Sequence, residues 1–135
     1  MAIDFSIYIQ DPPKPKTVSL TRGQIGVANG LDVTAKSAAG WAKKLAPSWA
    51  LVLGHQRGSL PEAEFERLYI QTIAPRESSY LFPMIDLWHY GLANDSKICF
   101  LCYCPDMQFC HTHTLINYIV GTWPVYFTDG REVPL

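Results

Sequence analysis

The run Ile98–Cys104 (ICFLCYC), followed after a five-residue gap by Cys110-His111, constrains the fold of this chain more than any other stretch. The run carries no charge, is too short for a buried helix, and is bounded by Ser96-Lys97 and Pro105-Asp106. It predicts a central strand covered on both faces. Beyond the gap, Leu115, Ile116, Ile119 and Val120 fall at helical spacing, and Gly121 stands where such a helix would stop. Open α/β sheets place ligands where a strand ends in a short loop feeding a helix. The free N–H groups of the helix N-terminus attract anions there. Cysteine and histidine at that spot are chemically reactive.

A chain of 135 residues fits one domain, 1–135, with room for a real core and no need of disulfide staples. Its net charge of −1 argues against a whole-surface nucleic-acid binder, while a local basic patch is compatible with it. No apolar run reaches membrane-spanning length, and the N-terminus lacks a basic region followed by an apolar core and cleavage site. Cytoplasmic residence without membrane association is the expectation. The four cysteines crowd into Cys99–Cys110, unlike a secreted disulfide framework, so reduced thiols are expected. Cys104 and Cys110 are the pair that would challenge this.

Phe5, Ile7 and Ile9 alternate with polar residues as in a strand, and the prolines of Asp11–Lys16 make a loop. Thr17–Thr21 predicts a second strand ending at Arg22-Gly23. From Gln24 to Gly40 no helical stripe occurs; a long loop is expected, with a short strand within Leu31–Thr34. Pro47 suits a first helical position, and Trp49, Val52, Leu53 and Gln56 form a face before Gly58. Ser59-Leu-Pro-Glu62 spells a capping box, ahead of a stripe at Phe65, Leu68, Tyr69, Thr72 and Ile73. Ser78 or Ser79 caps a third helix burying Leu81, Met84, Ile85, Trp88 and Leu92. Val125–Phe127 reads as a last strand and Asp129-Gly130 as a turn. Trp41, Trp49, Trp88, Tyr69 and Trp123 are assigned to the core.

A thiol at a helix N-terminus ionises readily, and the same field disfavours imidazolium. Cys110 is thus a candidate nucleophile and His111 a candidate base. The bland alternative makes Cys110 a small buried hydrophobe and His111 a helix cap. Cys102, Cys104, Cys110, His111 and His113 could instead hold zinc. Cys102 and Cys104 share one strand face with parallel side chains, which converges poorly on a tetrahedron, so no metal and no cofactor is assigned. Arg22, at another strand end, is suited to clamp a phosphate or carboxylate, with a surface ion pair as the alternative. His55 and His89 receive no role.

The pattern Cys102-Tyr-Cys104, five residues, Cys110-His111 resembles the Cys-His-Arg signature of the domain-of-unknown-function family 488. The likeness extends through Ser19–Gly23, Leu31–Ser37, Leu45–Trp49 and Gly58–Tyr69, so it covers most of the chain. It implies an α/β architecture and a site, without an established reaction. The family usually has arginine after Cys-His; here the position is Thr112, followed by His113, so an anion-binding role for that arginine does not transfer. Lys36 and Ser37 enter the site because the family motif includes them.

The combined expectation is a single three-layer, Rossmann-like α/β domain with a mainly parallel sheet flanked by helices. Thr21, Arg22, Gly23, Lys36, Ser37, Cys102, Cys104 and Thr112 would bind an anionic, nucleotide-like small molecule, with Cys110 and His111 catalytic. The rival is a non-catalytic protein that sequesters a ligand or contacts a protein partner.

Overall fold

The computed structural model describes residues 16–73, 78–104 and 109–131. The elements are β1 (Val18–Gln24), β2 (Leu31–Asp32), a 3-10 helix (Gly40–Leu45), α1 (Trp49–Gln56), α2 (Glu62–Ile73), α3 (Ser78–Ala93), β3 (Lys97–Cys102), α4 (His111–Thr122) and β4 (Phe127–Asp129). The expected strand at Phe5–Ile9 lies outside the described residues. The apolar run does form an interior strand: the sheet order is β2-β3-β1-β4, and every pairing is parallel. A Rossmann-like α/β domain is the result, as the sequence indicated.

Topology decides which face the helices cover. The connections β2→β3 and β3→β4 step the same way across the sheet, so right-handed crossovers send their helices to one side. On that side Val18, Leu20, Ile98 and Phe100 are fully buried, and α3 and α4 pack against β1 and β3. The connection β1→β2 steps the opposite way and crosses the other face with residues 25–30. It passes so close that a Cβ on Gly30 would lie 2.1 Å from the Cys99 carbonyl oxygen. Only glycine fits that crossing. Among the described residues, irregular chain therefore crosses that side of the sheet. Cys99, on that side, is half-buried.

The core joins Phe65, Tyr69 and Ile73 of α2, Met84, Leu87 and Trp88 of α3, and Leu115, Ile116 and Ile119 of α4. Each such side chain contributes roughly 1.5–3 kcal/mol when withdrawn from water. Leu87 was missed by the sequence stripe, Leu92 is only half-buried, and Leu81 is not among the described side chains. In α2 the buried positions recur at every fourth residue, which leaves Thr72 exposed.

Several element ends differ from expectation. Ser48, not Pro47, starts α1: its hydroxyl accepts the Leu51 N–H at 3.2 Å. The Ser59 hydroxyl donates back to the Gly54 carbonyl at 3.1 Å, closing α1, and so does not act in a capping box for α2. Gly121 lies inside α4, which stops where Trp123 leaves helical φ. The last strand is Phe127–Asp129, two residues later than predicted, because Val18 pairs with Phe127. Trp49 is 50% exposed, since α1 packs chiefly on α2. Trp41 is half-buried, while Trp88 and Trp123 are in the core.

Candidate functional site

Register brings the reactive groups together. Gln24 is level with Cys102, so β1 and β3 finish side by side at their carboxyl ends. Residues 18, 20, 22 and 24 share the helix-covered face with 98, 100 and 102. Arg22 and Cys102 therefore point toward the start of α4. The Arg22 guanidinium donates from Nε to Thr112 Oγ1 at 3.1 Å, and from one terminal nitrogen to Cys102 Sγ and the Cys104 carbonyl, both at 2.7 Å. Thr112 is wholly buried. It stands where the resemblance led one to expect arginine, and there it accepts from an arginine supplied by another strand.

Cys110 is the N-cap residue of α4, in extended conformation, and its side chain makes no capping bond. Its thiol instead meets Cys102, with the two sulfurs 2.9 Å apart. The Sγ atoms of Cys102, Cys104 and Cys110 all lie within 4.8 Å of one another. Beta-strand alternation would have kept Cys102 and Cys104 parallel, but β3 ends at Cys102 and the chain turns. The three sulfurs are thus placed where a soft metal could be held, contrary to the sequence argument against convergence.

All four cysteines are free thiols. Burial and the neighbouring thiols distribute the protons unequally. Hydrogen bonds from Cys104 and Cys110, with the Arg22 guanidinium beside them, hold the Cys102 thiol far below its ordinary value. The same contacts with Cys102, together with burial, push Cys110 far up, and contact with Cys102 also raises Cys104. The thiolate belongs to Cys102, and Cys110 keeps its proton. The sequence placed the activated thiol at Cys110 because a helix N-terminus favours thiolate. In the fold, hydrogen bonds from the two neighbouring thiols and then the full charge of Arg22 converge on Cys102 and together outweigh that partial field.

His111 opens α4 and is almost fully buried. Its Nε2 lies 2.8 Å from the Val33 carbonyl. A carbonyl only accepts, so Nε2 carries the proton, and neutral imidazole then presents a bare Nδ1. That Nδ1 lies 3.7 Å from Cys110 Sγ, which makes the adjacent residues a weakly coupled pair. Burial lowers the His111 pKa and favours the neutral ring. The ring edge also meets Tyr69, whose hydroxyl donates to the Leu45 carbonyl.

The other expected residues divide into two groups. Lys36 and Ser37 lie beside Tyr103, one residue from Cys102. The Lys36 ammonium sits 5.5 Å from the Tyr103 ring centre, and the Tyr103 hydroxyl is 2.9 Å from Ser37 Oγ. Ser37 Oγ also donates to Asp32, which accepts from the Thr34 N–H at 2.9 Å and the Thr34 hydroxyl at 2.7 Å. Burial would raise the Asp32 carboxyl, but these hydrogen bonds more than offset it and the pKa is lowered. Thr21 and Gly23, by contrast, do not join Arg22. Strand alternation turns them to the other face, where a Cβ on Gly23 would be 2.7 Å from that of Ala28, and Thr21 donates to the Ile98 carbonyl at 3.3 Å.

Sequence reasoning missed Asp32, Thr34 and Tyr103 as parts of this ensemble. The Asp-x-Thr-x-x-Ser spacing after β2 was the available signal. It also missed the cluster of Arg131 with Asp129, His113 and Asn117. Arg131 is distant in sequence from α4, and its 3% exposure arises only on folding.

The sequence profile of a family described as the active DUF488-N3 subclade matches residues 13–120. No curated protein and no solved structure matches the chain. No helix of the described residues is long and apolar enough to cross a membrane.

Proposed function

This chain belongs to the DUF488 family, and we propose that it is a small enzyme acting on an anionic, nucleotide-like molecule at the carboxyl ends of β1 and β3. Cys102 supplies the attacking thiolate. Arg22 holds that thiolate, and the N-terminus of α4 supplies N–H groups for the substrate's anionic part. Lys36 and the half-exposed Tyr103 offer a cation and an aromatic face for the rest of the molecule. The proposal moves the nucleophile from Cys110 to Cys102, and leaves Cys110 and neutral His111 as proton holders behind it.

The observation that carries this reading is the 2.7 Å contact between Arg22 and Cys102 Sγ. An arginine placed on a sulfur beside a helix N-terminus activates that sulfur. A protein-binding adaptor is the second reading, favoured by α1, which is apolar, has no fully buried residue and exposes Trp49.

Purified protein should be denatured and its released small molecules identified by mass spectrometry. An anionic, nucleotide-like compound is expected, and the same compound should be turned over by the wild type. Cys102→Ser should bind it with unchanged affinity and fail to convert it. Unchanged turnover by Cys102→Ser, or binding that is lost in Trp49→Ala while Arg22→Ala keeps it, would refute the enzyme reading.

A further inference from the structure

Two sulfurs that belong to different elements meet in this fold with no group between them. Cys102 is the last residue of β3 and Cys110 the N-cap of α4. Their separation of 2.9 Å is inside ordinary sulfur contact, and closure to a disulfide length of about 2.05 Å needs a movement of only about 0.9 Å. Two sulfurs sharing a tetrahedral zinc at about 2.3 Å each would stand roughly 3.8 Å apart, so the observed spacing lies midway between the two, and the thiol mapping below separates them. Cys104 also touches Cys102, but only Tyr103 separates the two on the chain, which leaves a disulfide between them in a strained small ring.

We infer that Cys102 and Cys110 form a peroxide-oxidisable pair, a modification site that takes hydroperoxides and closes to a reversible disulfide. The Cys102 thiolate attacks the terminal oxygen of the hydroperoxide. A sulfur–oxygen bond forms, the oxygen–oxygen bond breaks, and the alkoxide or hydroxide released takes a proton from solvent. Cys102 is now a sulfenic acid. The Cys110 sulfur then attacks Cys102: the sulfur–sulfur bond forms, the sulfur–oxygen bond breaks, and the hydroxide leaves as water with the Cys110 proton. The dithiol loses two electrons and the peroxide gains them. Arg22 stands against Cys102 at 2.7 Å and favours the first step by holding the anion that attacks. Reduction by a small thiol reopens the pair. Oxidation therefore removes the proposed nucleophile without destroying it. Thiol mapping uses neither ligand nor turnover, so its result stands apart from the fate of the enzyme reading.

The test exposes the reduced full chain to hydrogen peroxide, blocks remaining thiols, and digests with chymotrypsin. Cleavage after Tyr103 and Phe109 places Cys102, Cys104 and Cys110 on separate peptides. The expected result is one cross-linked pair joining the Cys102 and Cys110 peptides, loss of two of the four alkylatable thiols, and full recovery with dithiothreitol. Cys110→Ser, checked for native melting, should form no disulfide and should accumulate a sulfenic acid at Cys102 that a cyclic 1,3-diketone traps. A link from Cys102 to Cys104, or a Cys110→Ser protein that closes a disulfide as fast as wild type, would overturn the assignment. So would four thiols surviving peroxide until a chelator is added, which would place a metal at the sulfurs.

Discussion

Replacing Arg22 by alanine tests the electrostatic centre of the molecule. Among the described residues the side chain donates to Thr112 Oγ1, to Cys102 Sγ and to the Cys104 carbonyl. Its removal leaves a buried thiolate without its cation and a carbonyl and hydroxyl without their donor. Orphaned buried groups cost about 1–3 kcal/mol each, but Cys102 can escape part of the penalty by taking up a proton. A net loss of about 2–4 kcal/mol is expected. At about 3–5 °C per kcal/mol for a chain of this size, that lowers the melting temperature by on the order of 10 °C. The loss should depend on pH in a definite direction. A thiol held below its ordinary value in the fold contributes stability that is fully present above about pH 8.5 and lost as pH falls. The cost of Arg22→Ala should therefore shrink on acidification, read by urea unfolding under reducing conditions between pH 8.5 and pH 5. In a Cys102→Ser background the cost should drop by at least about 1 kcal/mol. A cost that is the same at every pH and in both backgrounds would refute the thiolate assignment.

Two further expectations test the supports of this centre. His111→Ala removes the Nε2–H donor from the Val33 carbonyl and a buried ring from against Tyr69; unfolding should show a loss of about 2–4 kcal/mol. Because burial depresses the His111 pKa, wild type should lose stability as pH falls below about 6.5, and a variant with the same acid limb would remove this residue from the account. Gly91→Ala adds a methyl 2.5 Å from Val18 Cγ1; overpacking of about 1–3 kcal/mol should exceed the roughly 1 kcal/mol gained in helix propensity, and a more stable variant would refute the close α3–β1 contact.

Periodicity and boundary residues determined which elements exist. The uninterrupted run through Ile98–Leu101 cannot be solvated, so it became an interior strand, and the spacing of Leu115, Ile116 and Ile119 required a helix after it. Strand–loop–helix order then made a parallel sheet with reactive residues at its carboxyl ends. Those are local properties, written in spacings of two and of three to four. What chain order does not contain is register. Whether Arg22 or Thr21 faces α4 depends on how β1 slides against β3, and one residue of slip would exchange them. The identity of the thiolate was beyond reach for the same reason. Cys110 owns the helix N-terminus, but the groups that outweigh it, the neighbouring thiols and the guanidinium of residue 22, converge on Cys102 only on folding, which brings that charge to 2.7 Å from its sulfur. A full charge at contact distance dominates a partial charge, and contact distance between residues eighty apart in the chain is a property of the tertiary structure.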